Sequence, residues 1–198
     1  MFKSITGHQK HDQILEGLSL AKKYGIKEIK VNAVLLKKYN SHQLENYIEW
    51  LRDKDITVRF IELMETGDNK DFFDANHVSG ELIKKEIIAQ GWHPIVGVKY
   101  AGPAQEFYHP EIKGKIGLIM PYSKDFCKSC NRLRVSAKGK LHLCLFSEQG
   151  LDIRPHLKAN DVDGTCQAIK FSMSDKEANH FLHERVTGIT KHLAMIGG

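Results

Sequence analysis

A chain of 198 residues with 41% hydrophobic and 27% charged residues is long and apolar enough for one large or two small packed domains, and these ordinary values point away from disorder and from a membrane class. The net charge of +5 is moderate, and the basic residues are spread along the whole length with no helix-turn-helix or RNA-binding signature, so nucleic acid is not the expected partner and a small anionic substrate is. No apolar run approaches a membrane span, the start lacks a secretory stretch, and four cysteines arranged for metal suit a reducing compartment, which together predict a cytoplasmic protein.

From Lys10 to Tyr24 the apolar residues Ile14, Leu15, Leu18 and Ala21 recur at helical spacing, and Gly25 stands where a helix would stop. Ile29 to Leu36 reads as a strand, Ser41 as the cap of a helix running through Arg52, and Ile56 to Met64 as the next strand. Helix, strand, helix, strand with short connections is the pattern of parallel α/β folds. Two parallel strands alone have exposed edges and little to pack against, so the chain reads as beginning in mid-fold. Lys30 and Asn32 alternate with Ile29, Val31 and Ala33 and so share one face, where Lys30 either snorkels at the strand start or meets an anion. Arg59 and Glu62 bracket the second apolar strand, and pairing across the strand end is their plain reading.

Gly67 to Phe73 is polar and turn-rich and marks a boundary, with residues 1–66 on one side and 67–198 on the other. Val78 to Gln90 reads as a helix ended by Gly91. From Trp92 to Tyr122, short extended pieces broken by glycine and proline predict antiparallel strands that continue into a cysteine-bearing hairpin. Tyr108 and His109 are surface candidates without an assigned role. Arg154-Pro155 reads as a break, and Asp163 to Phe171 as a short helix with Cys166 as a small core residue. His180, His183 and His192 form no compact motif and read as solvated.

The stretch Phe126 to Phe146 holds three of the four cysteines together with a dense run of cationic side chains. Cys127 and Cys130 enclose two residues and Cys144 follows after thirteen more, which is metal-ligand spacing. A structural zinc would need a fourth ligand from His142 or the distant Cys166, whereas an iron-sulfur cube on three thiolates would leave one iron without a protein ligand; spacing alone leaves both open. Leu133 to Val135 and Leu141 to Leu145 flank Ala137-Lys138-Gly139, a three-residue hairpin loop whose glycine can take the left-handed position. With Ser136 opposite Lys140, Arg134 faces His142 and Arg132 faces Cys144, so Cys130, Arg132, Arg134 and Cys144 share one face. Two guanidinium groups there form a double fork suited to phosphate oxygens; the alternative is a solvated strand face.

Phe-Cys-x-x-Cys-Asn-Arg-x-Arg, the third cysteine, Lys30-Val31-Asn32, Arg59-Phe60-Ile61-Glu62-Leu63-Met64, Gly102-Pro103-Ala104 and the terminal Met195-Ile196-Gly197-Gly198 come in an order and approximate spacing that resembles the C-terminal part of the MoaA family, the radical SAM GTP 3',8-cyclases of molybdenum cofactor biosynthesis. The Cys-x3-Cys-x2-Cys motif that carries that family's first cluster and S-adenosylmethionine does not occur in this chain. The resemblance implies the last β/α units of an incomplete TIM-like barrel over residues 1–66, then a C-terminal domain over 67–198 with an antiparallel sheet, a cluster-binding hairpin and helices. It implies a 4Fe-4S cluster on Cys127, Cys130 and Cys144 whose open iron takes the guanine of GTP. Arg132, Arg134 and Lys30 would hold the triphosphate, and Asn131 would assist through its amide. Arg59 would lie beside S-adenosylmethionine, and the Gly197-Gly198 tail would enter the active site, where backbone without side chains approaches closely. Hydrogen abstraction from the ribose of GTP would need S-adenosylmethionine on a first cluster in a separate N-terminal half, and a homodimer is also implied. The competing reading is a non-catalytic structural zinc or nucleotide-binding module.

Overall fold

A computed structural model of the chain describes residues 1–96, 102–124, 126–127, 130, 132–146, 150–174, 182–185 and 187. The chain divides into two compact units: 1–63, 76–99 and 104–120 in the first, and 64–75, 100–103 and 121–198 in the second.

The first unit opens with the helices α1 (Phe2–Thr6) and α2 (His11–Lys23), neither of which buries a residue. Tyr24 caps α2, and Gly25 follows in the left-handed region at φ 77°, as its position predicted. Next come β1 (Lys30–Leu35), α3 (Leu44–Leu51) and β2 (Thr57–Glu62). Buried Asn40 ends β1: its amide donates to the Val34 carbonyl at 2.8 Å and its side-chain oxygen accepts the Leu36 N–H at 2.8 Å. Ser41 does not cap α3. Its hydroxyl donates to the Lys37 carbonyl, and Gln43 holds the cap position without a side-chain bond.

Past α4 (Lys70–Asn76) in the turn-rich stretch, α5 (Gly80–Ala89) starts from Ser79, whose hydroxyl accepts the Glu81 N–H at 3.3 Å, and stops before Gly91 at φ 86°. The strands β3 (His93–Pro94), β4 (Gln105–His109) and β5 (Ile112–Ile119) follow. They run antiparallel to one another, as their glycine and proline punctuation predicts, but β5 also pairs in parallel with β2. The result is one mixed five-stranded sheet in the order β1-β2-β5-β4-β3. Hence β2 is a central strand rather than one of an isolated pair. The register Val58↔Ile116 and Phe60↔Leu118 stacks four apolar side chains on one face, where Leu44, Ile48 and Leu51 of α3 and Ile83 and Ile87 of α5 complete the core. Gly114 makes this packing close, since a Cβ there would stand 2.6 Å from Leu51 Cδ2.

In the second unit β6 (Arg134–Val135), β7 (Lys140–His142) and β8 (Leu151–Asp152) form a separate antiparallel sheet, so the sheet of the first unit does not continue into the hairpin. Arg154-Pro155 opens the short helix α6 (Arg154–Lys158) instead of interrupting the chain, since proline is well suited to a first helical turn. The helix α7 (Val162–Met173) is capped by Asp161, whose carboxylate accepts the Gly164 N–H at 2.8 Å. A 3-10 turn at Leu182–Glu184 puts Leu182 in a small core with Leu145 and Phe146, flanked by Met64, Tyr122 and Cys144. Among the described residues no helix is long and apolar enough to cross a membrane.

Candidate functional site

The cysteine hairpin has the register that the loop composition predicts. Arg134 pairs with His142 and Val135 with Leu141, the Ser136 N–H donates to the Lys140 carbonyl at 2.9 Å, and Gly139 takes φ 68°. The ladder stops at Arg134 and His142, so the expected pairing of Arg132 with Cys144 is not formed; Cys144 lies two residues past the strand end, where its sulfur accepts the Phe146 N–H at 3.5 Å. The Cys130 N–H donates to the Cys127 carbonyl at 3.1 Å. All three are half-buried and outside any disulfide. The donor chemistry fits a soft metal group: three thiols in one unit, one already accepting a backbone N–H of the kind that stabilises a thiolate. Among the described residues, no three His, Cys, Asp or Glu side chains are grouped closely enough to hold a metal ion.

Cys166 is exposed on α7, contrary to the core position expected from its apolar neighbours Ala168 and Ile169. That helix buries only Ser172, so helical spacing of small residues did not translate into packing. His142 is buried above Gly150, where a Cβ would stand 2.7 Å from the imidazole Cε1. Burial, with the Lys140 charge second, pulls the imidazole below its usual range, so it is neutral at pH 7. Arg134 is half-buried opposite it, and Arg132 is exposed with its guanidinium against Gly102. The His183 and Tyr122 rings meet edge to face, with centroids 5.7 Å apart. Asn131, Gly197, Gly198, His180 and His192 lie outside the described residues.

Lys30 and Arg59 belong to the first unit, on the sheet face opposite the helix-packed core. The register puts Lys30, Thr57 and Lys115 in one row, with Thr57 between the two lysines, and Asn32 in one row with Arg59, Gly117 and Glu106. Lys30 and Asn32 therefore do share a face, as their alternation predicts, and both are exposed. Lys30 pairs with Glu28 at 3.1 Å, and this hydrogen bond, then the charges of Lys30, Lys115 and Arg59, hold the Glu28 carboxyl below the usual carboxylate range. Arg59 does not bond Glu62; its Nη2 donates to Glu106 Oε1 at 2.7 Å, while buried Glu62 faces His77 Nε2 at 3.3 Å. Lys115 is the cation that sequence reasoning missed. Its place in the row of Lys30, on the far side of Thr57, comes from the parallel pairing of β2 with β5, across more than 50 intervening residues, which no local pattern announces.

Residues 56–182 match the family model described as Molybdenum Cofactor Synthesis C. Across its whole length the chain is 49% identical to a protein of Vibrio parahaemolyticus named GTP 3',8-cyclase, of which it covers 60%. It is 48% identical to proteins of the same name from Psychromonas ingrahamii and Stenotrophomonas maltophilia, covering 58% and 61% of them. The chain thus spans about three fifths of the length of the curated relatives it matches.

Proposed function

The chain belongs to the Molybdenum Cofactor Synthesis C family, and from that premise we propose that it is the GTP-binding C-terminal portion of a GTP 3',8-cyclase, acting in molybdenum cofactor biosynthesis on the route from GTP to (8S)-3',8-cyclo-7,8-dihydroguanosine 5'-triphosphate. Residues 1–66 contribute the last β/α units of a radical SAM barrel, and 67–198 the domain that receives the base. Cys127, Cys130 and Cys144 hold a 4Fe-4S cluster with one iron free of protein ligands, which when bound supplies a Lewis acid for a guanine nitrogen. Arg132 and Arg134 offer planar forks to the triphosphate, Lys30 adds a point charge, and the Asn131 amide orients the base. Arg59 lies toward S-adenosylmethionine, and Gly197 and Gly198 approach the reacting nucleoside as bare backbone.

The observation that carries this reading is the hairpin. Its Gly139 turn and Arg134↔His142 register lie in the same compact unit as Arg132 and three half-buried thiols. The exposed lysines Lys30 and Lys115, in one row on the outer face of the first sheet, further support an anionic ligand. Cys166, exposed on α7, has no part in the set. Anaerobic reconstitution with iron and sulfide is the direct test. Expected are iron-sulfur absorption and cube stoichiometry in the 198-residue chain, lost in Cys127→Ala, Cys130→Ala and Cys144→Ala and kept in Cys166→Ala. Tight, redox-silent zinc that survives iron reconstitution, or a requirement for Cys166, overturns the assignment.

A further inference from the structure

Gly102 lies in the same compact unit as the cysteine hairpin, at φ 91°, a left-handed conformation that residues with a Cβ rarely adopt. A Cβ built on it would stand 2.7 Å from Nη2 of Arg132 and 3.8 Å from its Cζ, so the guanidinium fills the space that a side chain at 102 would need. These are two separate demands for glycine: one is set by the backbone, the other by a neighbour 30 positions along the chain. Arg132 is exposed and precedes β6. A seat that excludes rotamers lowers the entropy lost when such a fork engages an anion.

We propose that Gly102 is a positioning residue for Arg132: the absent side chain seats the guanidinium so that its planar fork is presented to phosphate oxygens. The inference rests on the reading that Arg132 binds the triphosphate. Gly102 itself touches no substrate. It acts only through the arginine.

A four-cornered cycle of wild type, Gly102→Ala, Arg132→Ala and the double variant, in the cluster-loaded 198-residue chain, tests this by calorimetry with GTP and guanosine and by thermal unfolding. Gly102→Ala is expected to weaken GTP about as much as Arg132→Ala, about tenfold, with guanosine unaffected by either and the double variant no weaker than Arg132→Ala alone. In unfolding, both alanine-102 chains carry the same backbone strain, so the double variant should recover stability relative to Gly102→Ala because its collision is gone. Should Gly102→Ala fail to fold, a folded double variant still supports the contact, and a double variant that is equally unfolded overturns it. Strict additivity in unfolding, or a Gly102→Ala chain that binds GTP normally while Arg132→Ala does not, overturns the positioning role and leaves the triphosphate reading standing. Unchanged GTP affinity in Arg132→Ala overturns that reading itself.

Discussion

Arg59 on β2 reaches across β5 to Glu106 on β4, with Nη2 to Oε1 at 2.7 Å, and Gly117 is the gap it passes over. A Cβ at Gly117 would stand 2.9 Å from Arg59 Cγ, and the two charged side chains are only 16% and 26% exposed. A charge-assisted bond so sheltered contributes about 1.5–3 kcal/mol. Gly117→Ala should therefore act at a distance, lifting the arginine off the sheet and parting it from Glu106, at a cost of about 1–3 kcal/mol. Glu106→Ala should cost a similar amount and, combined with Gly117→Ala, fall well short of the sum. Urea unfolding of the single and double variants measures this, and full additivity would show that the glycine serves only the backbone.

Arg185 is a second point at which the chain holds an uncommon conformation for a side-chain interaction. It sits at φ 59° without being glycine, and its guanidinium bonds both oxygens of buried Glu65, at 2.8 and 2.9 Å, as well as Asp74 at 2.7 Å. The Phe73 ring lies 5.8 Å below it. The two carboxylates raise the guanidinium pKa still further, so the cation persists at every accessible pH. Arg185→Ala should remove the cation bonded to the buried Glu65 carboxylate and loosen the turn at Leu182–Glu184. Hydrogen exchange is the measurement: protection of the Arg185 N–H, which donates to the Leu182 carbonyl, should fall sharply while the amides of β2 and β5 hold. Arg185→Gly, which removes the side chain but relieves the backbone, should lose protection as well if the ion pairs are what hold the turn.

The periodic segments were legible from the sequence because burial there follows local chemistry. Val58, Phe60 and Leu51 are apolar at the right spacing, and Gly25, Gly91 and Gly139 stand where the chain turns. The hairpin register needed only the loop length. What the sequence does not announce is long-range pairing. Nothing local tells Ile116 and Leu118 that they will lie beside β2, nor Arg59 that its carboxylate is 47 residues away. Cys166 shows the converse failure, since small apolar neighbours describe a helix that could be buried, and only the tertiary fold decides whether anything covers it.

Acid should loosen the second unit through two carboxylates. Asp161, which caps α7, is held below its usual range first by the Gly164 N–H and then by His156; Asp152 is held lower still by the Arg154 side chain. In each case the folded pKa lies below the unfolded one, so the stabilisation is complete above the unfolded value of about 3.9 and is lost as pH falls through the folded value. Melting temperatures should hold from neutrality to about pH 5 and then drop. Asp161→Ala should lower the plateau and flatten the acid limb. An acid limb of unchanged slope in that variant would remove the cap from the account.

The last expectation concerns association. The helix α2 is amphipathic yet buries nothing: Ile14, Leu15 and Leu20 are 46%, 39% and 43% exposed. Among the described residues β1 pairs only with β2, so its other edge offers backbone donors and acceptors next to exposed Val34. An apolar helix surface and an open strand edge in one unit are the features by which soluble chains pair with further protein. The 198-residue chain should accordingly show concentration-dependent association by sedimentation velocity. Ile14→Lys with Leu15→Lys should raise the monomer fraction while moving stability by no more than about 0.5 kcal/mol, since neither side chain packs in the core. Val34→Lys should do the same through the edge, a lysine there being the usual guard against a second strand. If both variants associate as the wild type does, the contact lies elsewhere; if the wild type is a monodisperse monomer, neither surface is adhesive and the exposed apolar residues of α2 are tolerated singly.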